Sequence, residues 1–125
     1  MTEINLSENK ICDGGAMSIA SALAKKNSIT KIDLSQNKIS DEGALALASA
    51  LKKNVTLIDI DLQENWIQTE DARTIASALE KSNTLREIDL SRNNIGAEGG
   101  KALVSALEKN NTLKEIDRSI PQQYW

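Results

Sequence analysis

Residues 29–56 read ITKIDLSQNKISDEGALALASALKKNVT, and residues 57–84 repeat the same plan as LIDIDLQENWIQTEDARTIASALEKSNT. The opening of each stretch alternates apolar and polar residues with a period of two, which is typical of a short strand with one buried face. The second half spaces apolar residues at i, i+3, i+4 and i+7, which is typical of a helix with one buried stripe. Each 28-residue unit therefore predicts a strand, a turn and a helix.

The unit recurs along the chain without insertion or deletion, so we interpret residues 1–125 as a single domain. Its copies are residues 1–28, 29–56, 57–84 and 85–112, followed by a truncated fifth copy and tail at 113–125. Parallel strands pack about 4.8 Å apart whereas helices need about 8–10 Å, so the stack must curve with its strands inside. The predicted fold is an α/β right-handed solenoid, a short horseshoe with parallel strands on the concave face and helices on the convex face.

Composition narrows the range of functions. The net charge is -3 and the Lys and Arg residues are scattered, so we expect no nucleic-acid partner. Cys12 is the only cysteine, and no stretch has the about 18–20 apolar residues of a membrane span, so we expect a cytoplasmic protein that does not enter a membrane. Without histidine the chain can form neither a Cys-His nucleophilic pair nor a usual zinc site. We therefore expect no enzymatic activity, no cofactor and no metal ion.

The repeated columns resemble a known family. They follow the pattern LxxLxLxxNxI, with a Gly-Ala helix opening and an AxAL helix core, from residue 1 to about 117. This pattern is similar to the ribonuclease-inhibitor-like class of leucine-rich repeats, found in inhibitors, Ran GTPase-activating proteins and the sensor regions of NOD-like receptors. The resemblance implies a protein-interaction module. It also allows a small-GTPase regulator, with Arg92 as the nearest candidate residue, while a structural or engineered repeat segment without a partner is the third interpretation.

The strand residues between the buried columns should face the concave side, because successive side chains of a strand point to opposite faces. Most of these residues are acidic, which favours a basic protein or peptide as the partner. The alternative is that the aspartates of one of these columns, Asp33, Asp61 and Asp89, only bond to neighbouring Ser or backbone groups. The candidate contact residues are Glu3, Lys31, Asp33, Asp59, Asp61, Gln63, Trp66, Glu87, Asp89 and Arg92.

Trp66 departs from a column that is otherwise polar, namely Lys10, Lys38 and Asn94. An exposed aromatic residue is a frequent centre of binding energy, so Trp66 is a candidate contact residue. The alternative is that its ring lies flat on the neighbouring repeats. The same repeat carries Asp71 where the other three have glycine, which makes the third repeat the least regular.

Two sets of polar residues have a structural interpretation. An Asn column falls where each strand ends, and an amide can both donate to and accept from the backbone there. Asp13, Asp41 and Thr69 are predicted to be N-caps of the helices. The Asn column consists of Asn9, Asn37, Asn65 and Asn93.

The two ends of the repeat array lack capping units. Ile4, Leu6 and Ile11 and the edge of the first strand should be open, which indicates either a fragment of a larger repeat protein or a homodimer through the first repeat. At the other end Arg118 replaces the expected Leu, and Pro121 ends the pattern. The apolar residues of this tail could form a cap, contact another chain or be disordered; they are Ile120, Tyr124 and Trp125.

Overall fold

The computed structural model describes residues 2–114, so the tail residues Arg118 to Trp125 lie outside the described part. Four strands alternate with four helices in this part of the chain. They are β1 (Thr2–Asn5), α1 (Cys12–Ala24), β2 (Ile29–Asp33), α2 (Asp41–Lys53), β3 (Asp59–Asp61), α3 (Thr69–Lys81), β4 (Glu87–Asp89) and α4 (Gly96–Lys109). The strands form one parallel sheet in the order β1-β2-β3-β4, which confirms the predicted α/β repeat solenoid. Among these helices none is both long and apolar enough to cross a membrane.

The register of the sheet places residues that are 28 positions apart side by side. Ile32 pairs with Ile60, and Ile60 with Ile88, while the residues on either side of this Ile column pair in the same way. From Glu3 onward each sequence column therefore runs straight across the strands, whereas Thr2 pairs with Ile29 and not with its counterpart Thr30. A residue's nearest neighbour on the sheet is its counterpart in the next repeat.

The core is built from the Ile, Leu and Ala columns. In the second repeat Ile32, Leu34 and Ile39 are no more than 1% exposed, and Ala44 and Leu47 of α2 close the core from the helix side. The chain contains no Phe, so Leu, Ile and Ala side chains fill the core. The small Ala residues let neighbouring helices approach closely, and the core is filled without aromatic rings.

The starts of the helices correct the predicted N-caps. Asp13, Asp41 and Thr69 lie inside their helices, because α1, α2 and α3 begin at or before these residues. Asp13 instead reaches the next repeat, where its carboxylate accepts hydrogen bonds from Ser40 N at 2.7 Å and from Ser40 Oγ at 2.8 Å. Asp13 therefore joins the first repeat to the second and does not cap its own helix.

Candidate protein-binding surface

The central feature of the concave face is the Asp column, defined as Asp33, Asp61 and Asp89. These three residues are register partners on β2, β3 and β4, and each is half-buried. The strands of a sheet lie about 4.8 Å apart, so neighbouring carboxylates repel by roughly 0.8 kcal/mol even in water. The sheet thus holds three like charges in a row.

One oxygen of each carboxylate in the Asp column has a structural role. Asp33 Oδ1 accepts hydrogen bonds from Ser35 N at 2.9 Å and from Ser35 Oγ at 2.7 Å. Asp61 Oδ1 accepts a hydrogen bond from Gln63 N at 2.9 Å. Asp89 Oδ1, like Asp33 Oδ1, accepts from both the N–H and the hydroxyl group of a serine two residues later, Ser91. This confirms that the Asp column bonds to neighbouring Ser and backbone groups. Among residues 2–114, however, the Oδ2 atom of Asp61 accepts no hydrogen bond.

The first repeat shows that this structural role does not need a charge. Asn5 occupies the column on β1, and its neutral Oδ1 accepts hydrogen bonds from Ser7 N at 3.0 Å and from Ser7 Oγ at 2.8 Å. These are the bonds that Asp33 makes one repeat later. The turn therefore explains the acceptor oxygen of the Asp column and leaves its negative charge unexplained.

A second row of charges lies beside the Asp column, two residues earlier on each strand. Its members are Glu3, Lys31, Asp59 and Glu87, and they also pair in register. Lys31 Nζ lies 3.6 Å from Asp59 Oδ2 in a partly exposed ion pair. The face as described therefore carries six carboxylates and one lysine, so its potential is strongly negative, most of all on β3 and β4.

The carboxyl groups of β3 show the effect of this crowding. Burial raises the pKa of Asp59 above its ordinary value; Lys31 opposes the rise, and Glu87 adds to it. Burial also raises the pKa of Asp61, against the hydrogen bond from Gln63 and with the repulsion of Asp33 and Asp89. A cation bound at this point would remove part of this electrostatic cost.

Trp66 lies in the loop between β3 and α3, and the residue is 57% exposed. Its backbone differs from that of two counterparts, because Lys10 and Lys38 have φ angles of 53° and 59° whereas the φ of Trp66, like that of Asn94, is negative. The Trp66 N–H donates to Ile39 O at 2.8 Å, so the loop is fastened to the second repeat while the ring stays open to solvent.

Two other predicted contact residues, Arg92 and Gln63, both bond to Glu64. Arg92 Nη1 lies 3.0 Å from Glu64 Oε1, an exposed ion pair between the third and fourth repeats. Gln63 Nε2 donates to the same Glu64 oxygen at 3.4 Å. Arg92 therefore links the fourth repeat to the third through this ion pair.

The predicted structural role of the Asn column is confirmed. Asn65 Oδ1 accepts from the N–H groups of Asn37 and Ile39, both at 3.0 Å, and its Nδ2 donates to Leu34 O and Leu62 O, also at 3.0 Å. Asn37, Asn65 and Asn93 thus use both ends of the amide to bond the turn to the preceding repeat, whereas the amide of Asn9 bonds only within its own repeat.

Asp71 is a buried carboxyl group that its sequence column marked only as an irregularity. It is 5% exposed, and its Oδ2 accepts a hydrogen bond from Gln68 N at 2.9 Å. Ser40, the counterpart of Gln68 one repeat earlier, donates its N–H to Asp13 instead. Burial raises the pKa of Asp71, and the nearby carboxyl group of Asp41 adds to the rise. Between Thr2 and Lys114, no group of His, Cys, Asp and Glu side chains is arranged to hold a metal ion.

The outer side of the first repeat is more open than the rest of the core. Ile4, Leu6 and Ile11 are only partly buried, whereas their counterparts in the second repeat are at most 1% exposed. This places the predicted self-association residues together at one end of the described stack.

Comparison with known proteins agrees with these repeats. The family model described as "Leucine Rich repeat" matches residues 1–20, 25–48 and 81–104, which together make up more than half of the chain. The chain therefore belongs to the leucine-rich-repeat family. No curated protein sequence matches it.

Two solved structures are similar to the whole solenoid. "Leiomodin-1 Actin-Binding Site 2 (ABS2)" is 26% identical, with a TM-score of 0.83, over 94% of this chain and 69% of that one. The tropomodulin C-terminal domain of Caenorhabditis elegans is 18% identical, with a TM-score of 0.86, over 99% of this chain and 77% of that one, and it supports the fold alone. The leiomodin-1 domain agrees with a protein-binding repeat domain, and neither neighbour supports the small-GTPase regulator that the resemblance allowed.

Proposed function

We propose that this chain is a non-enzymatic protein-interaction module that binds a basic protein or peptide segment on its concave face. The observation that carries the proposal is the comparison of Asn5 with Asp33. Both side chains accept the same two hydrogen bonds from the serine two residues later, yet only Asp33 carries a charge. A charge that costs stability and is not needed by the turn is best explained by a ligand of opposite sign.

The distribution of charge supports this proposal. The concave face carries six carboxylates and one lysine, while the whole chain has a net charge of only -3. The rest of the chain taken together is therefore net positive, so the concave face is its most acidic counterpart. Such a surface steers an oppositely charged partner toward one orientation.

Replacing the Asp column by Asn tests the proposal without breaking the turns. In the triple variant Asp33→Asn, Asp61→Asn, Asp89→Asn, an amide oxygen can still accept the structural hydrogen bonds, as Asn5 does. A matched control is Glu42→Gln, Glu98→Gln, Glu108→Gln, which removes the same charge from exposed positions on the helices.

The two variants are compared by affinity capture from lysate with quantitative mass spectrometry. We expect the unmodified chain and the helix variant to retain the same proteins, and the triple Asn variant to lose those that moderate salt elutes. Equal capture by all three chains would contradict a charge-dependent role of the concave face.

The similarity to the leiomodin-1 domain favours actin as a second, specific candidate partner. Exposed aromatic residues contribute strongly at protein interfaces, so we expect Trp66→Ala to weaken such binding about tenfold. Co-sedimentation with actin filaments and titration of actin monomers measure the two modes of binding. If neither form binds the unmodified chain, actin is removed as a candidate.

We also propose that the repeats are of the ribonuclease-inhibitor-like class and that the protein is cytoplasmic. A full helix of 13 or 14 residues in each repeat supports the first proposal. The exposed free thiol of Cys12 supports the second, because reducing compartments preserve such groups. Fractionation of cells that express the chain tests the location, and recovery from a secretory fraction would overturn it.

Self-association through the first repeat is a further proposal, supported by the partial exposure of Ile4, Leu6 and Ile11. Two copies that meet there would bury apolar surface and the free edge of β1. Sedimentation of the unmodified chain and of Leu6→Glu is the test: we expect a dimer for the first and a monomer for the second. A monomer for the unmodified chain at micromolar concentration would remove this proposal.

A further inference from the structure

We infer that the segment bound on the concave face is an α-helix lying across the strands, with basic residues spaced every three to four positions. This inference rests on the proposed function and concerns the shape of the partner. It follows from the spacing of the charges on the sheet, together with the exposed Trp66 in the loop that follows β3.

The spacing of the Asp column is set by the sheet. Asp33, Asp61 and Asp89 are Cα partners on three adjacent parallel strands. Strands lie about 4.7–4.9 Å apart, so the first and third carboxylates of the column are about 9.6 Å apart at the backbone. A partner must therefore present three cations along a line of about this length.

A helix matches this line and an extended peptide does not. Helical residues i and i+7 are about 10.5 Å apart along the axis, with i+3 or i+4 between them on the same face. In an extended segment the same-face residues i, i+2 and i+4 span about 13 Å, so the third cation would overshoot its carboxylate by more than 3 Å. The helix can therefore place one basic side chain beside each Asp.

The second charged row gives this helix a direction along the stack. Lys31 on β2 repels a cation and already pairs with Asp59 at 3.6 Å, whereas Asp59 and Glu87 on β3 and β4 are both acidic. The most basic part of the helix should therefore lie over the third and fourth repeats. An acidic or neutral residue should lie near Lys31.

Trp66, in the loop between β3 and α3, is an exposed apolar group that such a helix can contact. This loop follows β3, the strand of Asp61, and more than half of the surface of Trp66 is open to solvent. A helix that lies across the strands has one flank toward the strand ends. An aliphatic residue on that flank would be covered by the indole ring, which adds binding energy that salt does not screen.

The test uses two fluorescent peptides of identical Ala, Gln and Lys composition. In one peptide Lys occurs at i, i+3 and i+7, and in the other at i, i+2 and i+4. Fluorescence anisotropy measures their affinities for the full chain, and circular dichroism measures the helix content of each peptide upon binding. We expect the first peptide to bind about tenfold more tightly, since three matched ion pairs contribute modestly each, and to gain helix content.

Variants of the chain separate the shape of the partner from its charge. The triple Asn variant of the Asp column should bind both peptides equally weakly, and Lys31→Gln should strengthen binding of the helix-spaced peptide about twofold. Equal affinities of the unmodified chain for the two peptides, a preference for the alternating peptide, or no binding of either would overturn the helix. The charge-dependent capture in lysate would be untouched by the first two results, so failure of the helix and failure of the proposed function are distinguishable.

Discussion

The Asn column at the strand ends and the Asp column on the concave face have similar side chains and use them differently. Asn65 is 4% exposed, and its amide makes hydrogen bonds with backbone groups through both the oxygen and the nitrogen. Asp61 is half-buried and uses one oxygen for a single turn. The first residue is fully used by the fold, whereas the second keeps bonding capacity and a charge that the fold does not require.

This difference separates columns that maintain the solenoid from columns that are free to bind. In a repeat protein every column recurs, so recurrence by itself does not indicate which of the two roles a residue has. The hydrogen bonds indicate the role, because they show how many donor and acceptor atoms of each side chain are bonded within the fold. Substitutions in the two columns should accordingly differ greatly in their effects on stability.

The largest expected effect is that of Asn65→Ala. The substitution leaves the N–H groups of Asn37 and Ile39 and the carbonyl groups of Leu34 and Leu62 without this partner. We expect the free energy of unfolding to fall by about 4 kcal/mol, because each buried group left unsatisfied costs about 1–3 kcal/mol and water restores some of the bonds. Urea denaturation measures the loss.

Asn9→Ala is the matched control for this prediction. Asn9 is the exposed member of the column, and its amide donates only to carbonyl groups within its own repeat, those of Leu6 and Ser7. The loss should be about 1 kcal/mol. Similar losses for the two variants would mean that bonds between repeats do not distinguish the buried members of the column.

In the Asp column, Asp33→Ala and Asp33→Asn should differ in stability. Alanine removes the acceptor of Ser35 N and Ser35 Oγ, both of them in a residue that is nearly buried, so we expect a loss of about 1–2 kcal/mol. Asparagine keeps an acceptor and removes a repulsion, so the change should stay within about 0.5 kcal/mol. Thermal unfolding followed by circular dichroism measures both. A loss for Asn as large as that for Ala would show that the turn does need the charge.

We expect the ionisation of Asp61 to have a smaller effect on stability than these substitutions, and this effect should depend on pH. The pKa of Asp61 is raised in the folded chain above its ordinary value of 3.8, so the folded chain binds this proton more tightly than the unfolded chain does. Ionisation of Asp61 therefore destabilises the fold, and its cost appears as pH rises from 3.8 through the raised value.

Asp61→Asn isolates this contribution from those of the other carboxyl groups. We expect the variant to gain stability relative to the unmodified chain at neutral pH and to lose that advantage below pH 3.8, where both side chains are uncharged. Urea denaturation across this pH range measures the difference. An advantage that grows as pH falls would contradict the raised pKa.

The sequence was sufficient to predict the repeat, the core columns and the role of the Asn column, because each depends on a pattern that recurs every 28 residues. The predicted N-caps were wrong for a physical reason. Asp13 bonds Ser40 in the next repeat, and Asp71 makes the corresponding bond to Gln68 within its own repeat. Such contacts depend on how the repeats stack and on where each helix begins, which local preferences do not determine.

The candidate surface was predictable in part. Alternation along the strands indicated which residues share the concave face, and composition indicated that the face is acidic. The sequence did not indicate that one oxygen of Asp33 bonds the turn, or that the neutral Asn5 makes the same bonds. These points depend on the distances to Ser35 and Ser7. The ion pair of Arg92 with Glu64 likewise spans two repeats and becomes visible only when they are stacked.

The smallest effect concerns the residue that separates the two columns. Gln36 lies between Ser35, which bonds the Asp column, and Asn37, and its φ angle is 56°, a left-handed conformation that costs about 1 kcal/mol for residues with a Cβ atom. Gln36→Gly relieves this cost but increases the freedom of the unfolded chain. We expect a net gain in the free energy of unfolding below about 1 kcal/mol, since the bond from Gln36 N to Gln63 O at 2.9 Å is kept. Urea denaturation measures the gain, and Gln36→Ala, which keeps the Cβ atom, should show none. If Gly and Ala gave the same stability, the left-handed turn would not be strained, and the path of the chain from the Asp column to the Asn column would be set by their hydrogen bonds alone.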